Sequence, residues 1–152
     1  MNKPSGAAEL EAEIASRPGH FIKRAEQALM SQKSDALRPF ELTVPQYAAL
    51  MALSFTPGAS GAQLARACVV TPQTMATVLS NLESKGLIER TPSTVHHKVM
   101  VTKLTRAGRA LVKKADVQAK AVEDRLADAF EPQERELLRE FLERAVKALS
   151  GD

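Results

Sequence analysis

The sequence is short of sulfur and aromatic chemistry: it has one cysteine, Cys68, one tyrosine, Tyr47, and no tryptophan. A lone thiol cannot close an intrachain disulfide, so a packed core must hold the fold, and a reduced, cytoplasmic setting is expected. At 152 residues the chain can build that core, since a domain of this size buries roughly 70% of the surface its unfolded form exposes. Aromatic residues are only 4% of the total, which argues against an aromatic-lined pocket. Long apolar runs are missing as well. The stretch YAALMAL at 47–53 is far too short to span a bilayer, and MNKPSGAAELEAEIAS at the start lacks the apolar centre of a secretion signal. No glycine-rich phosphate loop, nucleophile elbow or cluster of metal ligands accompanies acidic pairs such as Glu123 with Asp124. An enzyme, a bound cofactor and a metal site are therefore not expected.

What the chain does have is an uneven charge. Residues 1–58 carry six basic and six acidic side chains, residues 59–113 eight and two, and residues 114–152 seven and ten. A basic block inside a nearly neutral chain points to a localised surface for a polyanion.

Hydrophobic spacing predicts mostly helix. Phe21, Ala25, Leu29, Ala36 or Leu37, and Phe40 recur at intervals near four, giving a helix over about 18–38. Thr43 with Gln46, and Ser60 with Gln63, are capping-box pairs; they open a helix over about 45–55 and a two-turn helix ending near Cys68. TPQTMATVLSNLESKGLIER supplies Thr71 as N-cap, Pro72 at the first helical position and Gly86 just past the end, predicting a helix over about 72–85. Met75, Val78, Leu79 and Leu82 form its apolar stripe; Gln73, Thr74, Thr77, Ser80, Asn81, Ser84 and Lys85 form the other face. LIERT and KVMVTKL, separated by PSTVHH, read as a two-stranded hairpin. Thr105 then caps a helix of about 25 residues lined by Leu111, Val117, Ala121, Val122, Leu126 and Phe130. EPQE ends it, and a last helix over about 132–149 carries Leu137, Leu138, Phe141, Leu142, Val146 and Leu149. The first sixteen residues suit a short helix around Leu10 and Ile14 or a frayed arm.

A short helix joined by a few residues to a well-capped second helix is a helix-turn-helix, in which the second helix enters the DNA major groove. The segments LTVPQYAALMAL, GAQLARACVVTPQTMATVLSNLESKGLIER and KVMVTKLTRAGRAL resemble the MarR family of winged helix-turn-helix regulators in order, spacing and many identities. The resemblance covers nearly the whole chain, from about residue 20 to 149. It implies a mainly α fold with a small antiparallel β-hairpin: a winged helix-turn-helix lobe at 41–104, flanked by an N-terminal arm and dimerisation helix at 1–40 and by dimerisation helices at 105–152. It further implies a homodimeric transcriptional regulator, a repressor in the first instance, on a palindromic double-stranded DNA operator. A small-molecule effector in the cleft between dimer helices and lobe belongs to the same expectation. The sequence does not specify that ligand; Tyr47 is a candidate lining residue, with a core role as its alternative. The competing reading is a winged helix used only for protein assembly, which would bind DNA weakly and without sequence preference.

On this reading Pro72, Gln73, Thr74 and Thr77 contact bases: Gln can bond adenine through N6 and N7, and a Thr or Pro carbon can touch a thymine methyl. Ser60, Gln63, Thr71, Asn81, Lys85 and Arg90 are candidates for the DNA backbone. Arg66 could serve too or pair within the chain. Members of the family often have Arg where this sequence has Thr77 and Asn81, so the helix carries no cation before Lys85. The family's hairpin tip commonly reads Asp-Arg-Arg, its first Arg entering the minor groove; those places hold His96, His97 and Lys98. The tip stays basic but becomes sensitive to pH, because an imidazole ordinarily gains its proton near 6.5. Adjacent strand residues point to opposite faces, so His96 and His97 do not suit one metal ion, and His20 is the only other histidine. The family's peroxide sensors use a cysteine near the start of the first long helix; Cys68 lies elsewhere and reads as a small core group.

Overall fold

The computed structural model describes residues 6–151. Seven α-helices run as α1 (Gly6–Ala15), α2 (Pro18–Leu37), α3 (Val44–Phe55), α4 (Gly61–Ala67), α5 (Pro72–Ser84), α6 (Arg106–Ala127) and α7 (Pro132–Ser150). Strands β1 (Ala59–Ser60), β2 (Ile88–Pro92) and β3 (Met100–Leu104) form an antiparallel sheet in the order β1-β3-β2. The expected two-stranded hairpin forms from β2 and β3, and β1 adds a third strand that was not expected. Ala59 and Ser60 pair with Thr102 and Val101, giving the inner edge of β3 a partner. A two-residue strand is too short to show periodicity, so only its tertiary partner reveals it. Of the two readings of the N-terminus, residues 6–15 are helical; residues 1–5 lie outside the described residues.

The caps form as their chemistry dictates. Gln46 N and Gln63 N donate to Thr43 Oγ1 and Ser60 Oγ, while Gln46 Oε1 and Gln63 Oε1 accept from Thr43 N and Ser60 N. These reciprocal bonds satisfy amides that a helix start leaves free. A core of Leu37, Leu50, Leu53, Leu64, Met75, Leu79 and Leu82, each fully buried, fuses α3, α4 and α5 with the end of α2.

One junction ties this lobe to the helix that follows it. Gly86, at φ +69°, ends α5, with Leu87 N donating to Leu82 O. Thr105 then binds back to that turn: its N donates to Leu87 O at 3.1 Å and its Oγ1 donates to Gly86 O at 2.7 Å. The same Oγ1 accepts from Gly108 N at 3.0 Å, capping α6. Gly108 lies so close to the turn that a Cβ there would sit 2.0 Å from Leu87 O.

The buried side of α6 is Gly108, Val112, Ala115 and Ala119. This corrects the expected lining: Val117 is 64% and Leu126 42% exposed. Helix α7 buries none of its residues, and Leu137, Phe141, Leu142 and Val146 are all exposed, as are Phe21 and Ile22 on α2. Among the described residues no helix is long and apolar enough to cross a membrane.

Replacing Gly108 with Ala forces the α6 start away from the Leu87 carbonyl. The expected loss is on the order of 3 kcal/mol, read as a fall in the denaturant unfolding midpoint, whereas Gly19→Ala, with open space around it, should cost little.

Candidate nucleic-acid interface

Helix α5 divides cleanly. Met75, Val78, Leu79 and Leu82 face the core, and Pro72, Gln73, Thr74, Thr77, Ser80, Asn81 and Ser84 are exposed. Gln73, Thr77, Asn81 and Ser84 follow helical spacing along one polar, uncharged face. The start of that face is fixed by its cap: Thr71 Oγ1 accepts from Thr74 N at 3.1 Å and donates to Thr74 Oγ1 at 2.9 Å. Thr74 therefore keeps its own hydroxyl proton to donate outward, and the Thr77 hydroxyl leans on Gln73 O at 3.4 Å. The Gln73 amide is exposed and makes no hydrogen bond with the other described residues, so both its donor and acceptor sides are free to meet a base edge.

The expected backbone-contacting residues do not share one setting. Ser60 and Gln63 hold the α4 start, each with a donor left over: the Ser60 O–H and the Gln63 amide N–H groups. The Thr71 hydroxyl proton is committed to Thr74. Asn81 is exposed one turn beyond Thr77. Lys85 is drawn inward: its Nζ donates to Glu41 O at 2.6 Å and lies 3.5 Å from Gln46 Oε1, bracketing the end of α5 to the α2–α3 connection. Arg90 is half-buried on the core-facing side of β2. Arg66 is exposed and in no ion pair with the other described residues.

Beyond the sheet the chain closes a small tip. Ser93 N donates to Val99 O at 2.7 Å, and Ser93 Oγ accepts from Val95 N and His96 N. Val99 N donates to His96 O at 2.8 Å, so 96–99 is a β-turn with His97 and Lys98 as its two central residues. Both are exposed, as is His96. The two imidazoles thus play different parts, His96 opening the turn and His97 standing at its apex.

Tyr47 is a strut and not an open pocket wall: its hydroxyl donates to Asp116 Oδ1 at 2.6 Å, joining α3 to α6. Burial first, then the bond to Asp116 and the negative charge of Asp116 and Glu123, hold its pKa well above that of a free tyrosine. The thiol of Cys68 is likewise pushed up by burial, which fits its packing against the core. A groove of about 290 Å³ runs between α2 and α6, lined by Ala25, Leu29, Val122 and Leu126, with Arg125 donating to Gln32 at its edge.

One residue of this surface escaped sequence reasoning. Val69, in the turn between α4 and α5, is 90% exposed and has φ +54°. Its N donates to Arg66 O, and Val70 N donates to Ala65 O, the ending normally given to glycine. Nothing in a β-branched residue foretells a left-handed conformation.

A capped recognition helix with a polar outer face, preceded by a short helix and followed by a basic-tipped hairpin, defines a winged helix-turn-helix DNA-binding protein. The model of the MarR family matches residues 40–98, which run from the start of the lobe through α3, α4, α5 and β2 into the hairpin tip. The HTH-type transcriptional repressor Rv2887 of Mycobacterium tuberculosis is 41% identical over 122 residues, covering 80% of this chain and 88% of the relative. The chain belongs to the MarR family of transcriptional regulators. A crystal structure of Rv2887 in complex with p-aminosalicylic acid superposes with a TM-score of 0.65 at 35% identity, covering 85% of this chain and 98% of that one. The transcriptional repressor CouR, bound to a 23-mer DNA duplex, superposes with a TM-score of 0.79 at 26% identity, covering 88% and 95%.

Val69→Gly removes a left-handed β-branched residue at the cost of some chain entropy. The expected net effect is a gain of roughly 0.5–1 kcal/mol, seen as a raised thermal midpoint.

Proposed function

We propose that the chain is a transcriptional repressor that binds a palindromic DNA operator as a homodimer, with α5 in the major groove and the hairpin tip at the minor groove. The observation that carries the reading is the outer face of α5, where Gln73 and Thr74 are exposed at a capped helix start. Pro72, Gln73, Thr74 and Thr77 read base edges; Ser60, Gln63, Asn81, Arg90 and the α5 amides bind phosphates. Lys85, exposed but held by Glu41 O, adds long-range positive potential. The division of labour is lobe 41–104 for DNA and the flanking 1–40 and 105–152 for dimerisation. The exposed apolar side chains Phe21, Ile22, Leu137, Phe141 and Leu142 support the second role, since a face of that kind is stable in water only when covered. Two-fold symmetry then requires half-sites about one helical turn apart, roughly 10 bp.

Effector control follows from likeness to Rv2887, solved with p-aminosalicylic acid. A small aromatic carboxylate is the class to test against this chain.

Selection of bound duplexes from random sequence, at fixed salt, should return a two-fold symmetric site. On it Gln73→Ala should cost about 1–3 kcal/mol, concentrated at one base position. Sequence-blind recovery would replace this function with the protein-assembly reading.

His97 and Lys98 form the basic apex of the wing. A narrow minor groove attracts basic side chains. His97→Ala should therefore weaken binding to the selected duplex, and Lys98→Ala should also make the salt dependence shallower. Unchanged affinity in the His97 variant would remove His97 from the contact.

A further inference from the structure

Two buried side-chain atoms make no hydrogen bond within the described protein, Arg90 Nε and Thr102 Oγ1. They belong to one cross-strand pair: Arg90 in β2 lies directly opposite Thr102 in β3. Their side chains leave the same face of the sheet with Cβ atoms about 5 Å apart. This is the face that sends Ile88 and Leu104 into the core, on the strand that packs against α5. The neighbouring carboxylate, Glu89, is on the opposite face across from Lys103 and does not reach Arg90. Thr102 is completely buried, at a place where valine would fill the same volume without a hydroxyl to satisfy. An unpaired buried hydroxyl and an unpaired buried guanidinium N–H are each costly. Their occurrence on one pair calls for a shared use.

We propose that Thr102 is a positioning residue for Arg90 in DNA binding. Thr102 Oγ1 accepts a hydrogen bond from Arg90 Nε when the guanidinium engages a DNA phosphate, aiming the terminal N–H groups at the phosphate oxygens between recognition helix and wing. A guanidinium is planar, so holding Nε fixes the direction of the whole fork, which is what bidentate phosphate binding requires. Both atoms are already out of water in the free protein. Forming the bond on binding therefore adds no new desolvation at Nε or Oγ1, and its strength goes to the complex. The inference rests on the assignment of Arg90 to a phosphate.

The test uses the full chain and the duplex recovered by selection. Thr102→Val should melt at or above the parent temperature yet bind about five- to tenfold more weakly. Its salt slope should be shallower, and Thr102→Ser, which keeps the hydroxyl, should bind like the parent. Arg90→Ala should lower the salt slope by about one, and adding Thr102→Val to it should change nothing more. If Thr102→Val binds like the parent while Arg90→Ala is weak, the positioning role is wrong and the phosphate contact stands. If Arg90→Ala itself binds like the parent, the assignment of Arg90 fails and this inference with it.

Discussion

The bond from Thr105 N to the Leu87 carbonyl, made possible by the bare Cα of Gly108, is the contact on which the architecture turns. Three things meet there: the end of α5, the base of the hairpin at the Ile88–Leu104 pair, and the first turn of α6. Because Thr105 Oγ1 both donates to Gly86 O and caps α6, the reading helix and the flanking helix share one side chain as their joint. A second connection lies about three turns along α6, where Tyr47 donates to Asp116. The Lys33–Glu123 ion pair adds a third, from α2 to α6. These three attachments, spread along the length of α6, hold that helix against the lobe and against α2.

Much of this was legible. The capping boxes at Thr43 and Ser60, the Thr71–Pro72 start and the LTRAG motif each name a local hydrogen-bonding problem with one common solution, and each formed as written. Helix ends were harder. Four of them use the same left-handed residue after the last turn, at Glu41, Val69, Gly86 and Gly151, but only the glycines advertise it. At the other two, tertiary packing imposes a conformation that the residue type opposes. The short 3-10 turn Arg38–Phe40 before Glu41 was hidden for the same reason. The inner side of α6 was hidden differently, since Gly108, Ala115 and Ala119 permit close approach by being small and raise no hydrophobic signal. Spacing found Leu111, Val122 and Leu126, which lie on the same side of α6 as its buried residues, but it also placed Val117 and Ala121 there, and both are exposed.

The candidate site was legible in its order and not in its details. Gln73, Thr74 and Thr77 lie where helical spacing puts them, but Lys85 has the right charge and position in sequence and is tied down to the Glu41 carbonyl. Val69 and Thr102 could not be found by pattern at all, because what marks them is a conformation and a burial.

The electrostatic consequence is a separation of tasks. A recognition helix without a free cation can discriminate bases through Gln and Thr but gains little from the phosphates. On the proposed reading attraction comes from the edges of the lobe, from His97 and Lys98 at the apex of the wing, from Arg66 beside the turn, and from Arg90 at the wing's base. Contacts to phosphate carry most of the salt dependence, and contacts to bases carry the sequence preference. In a family member with arginine on the helix the two are mixed in single residues. On the proposed reading they lie on different elements, so salt acts mainly on the wing and on Arg90 while base preference stays with α5. The retention of an unpaired buried polar pair at Arg90 and Thr102 fits that separation. A sheet built for stability alone would place two aliphatic residues there, and the departure falls on the strand pair that connects the core to the tip.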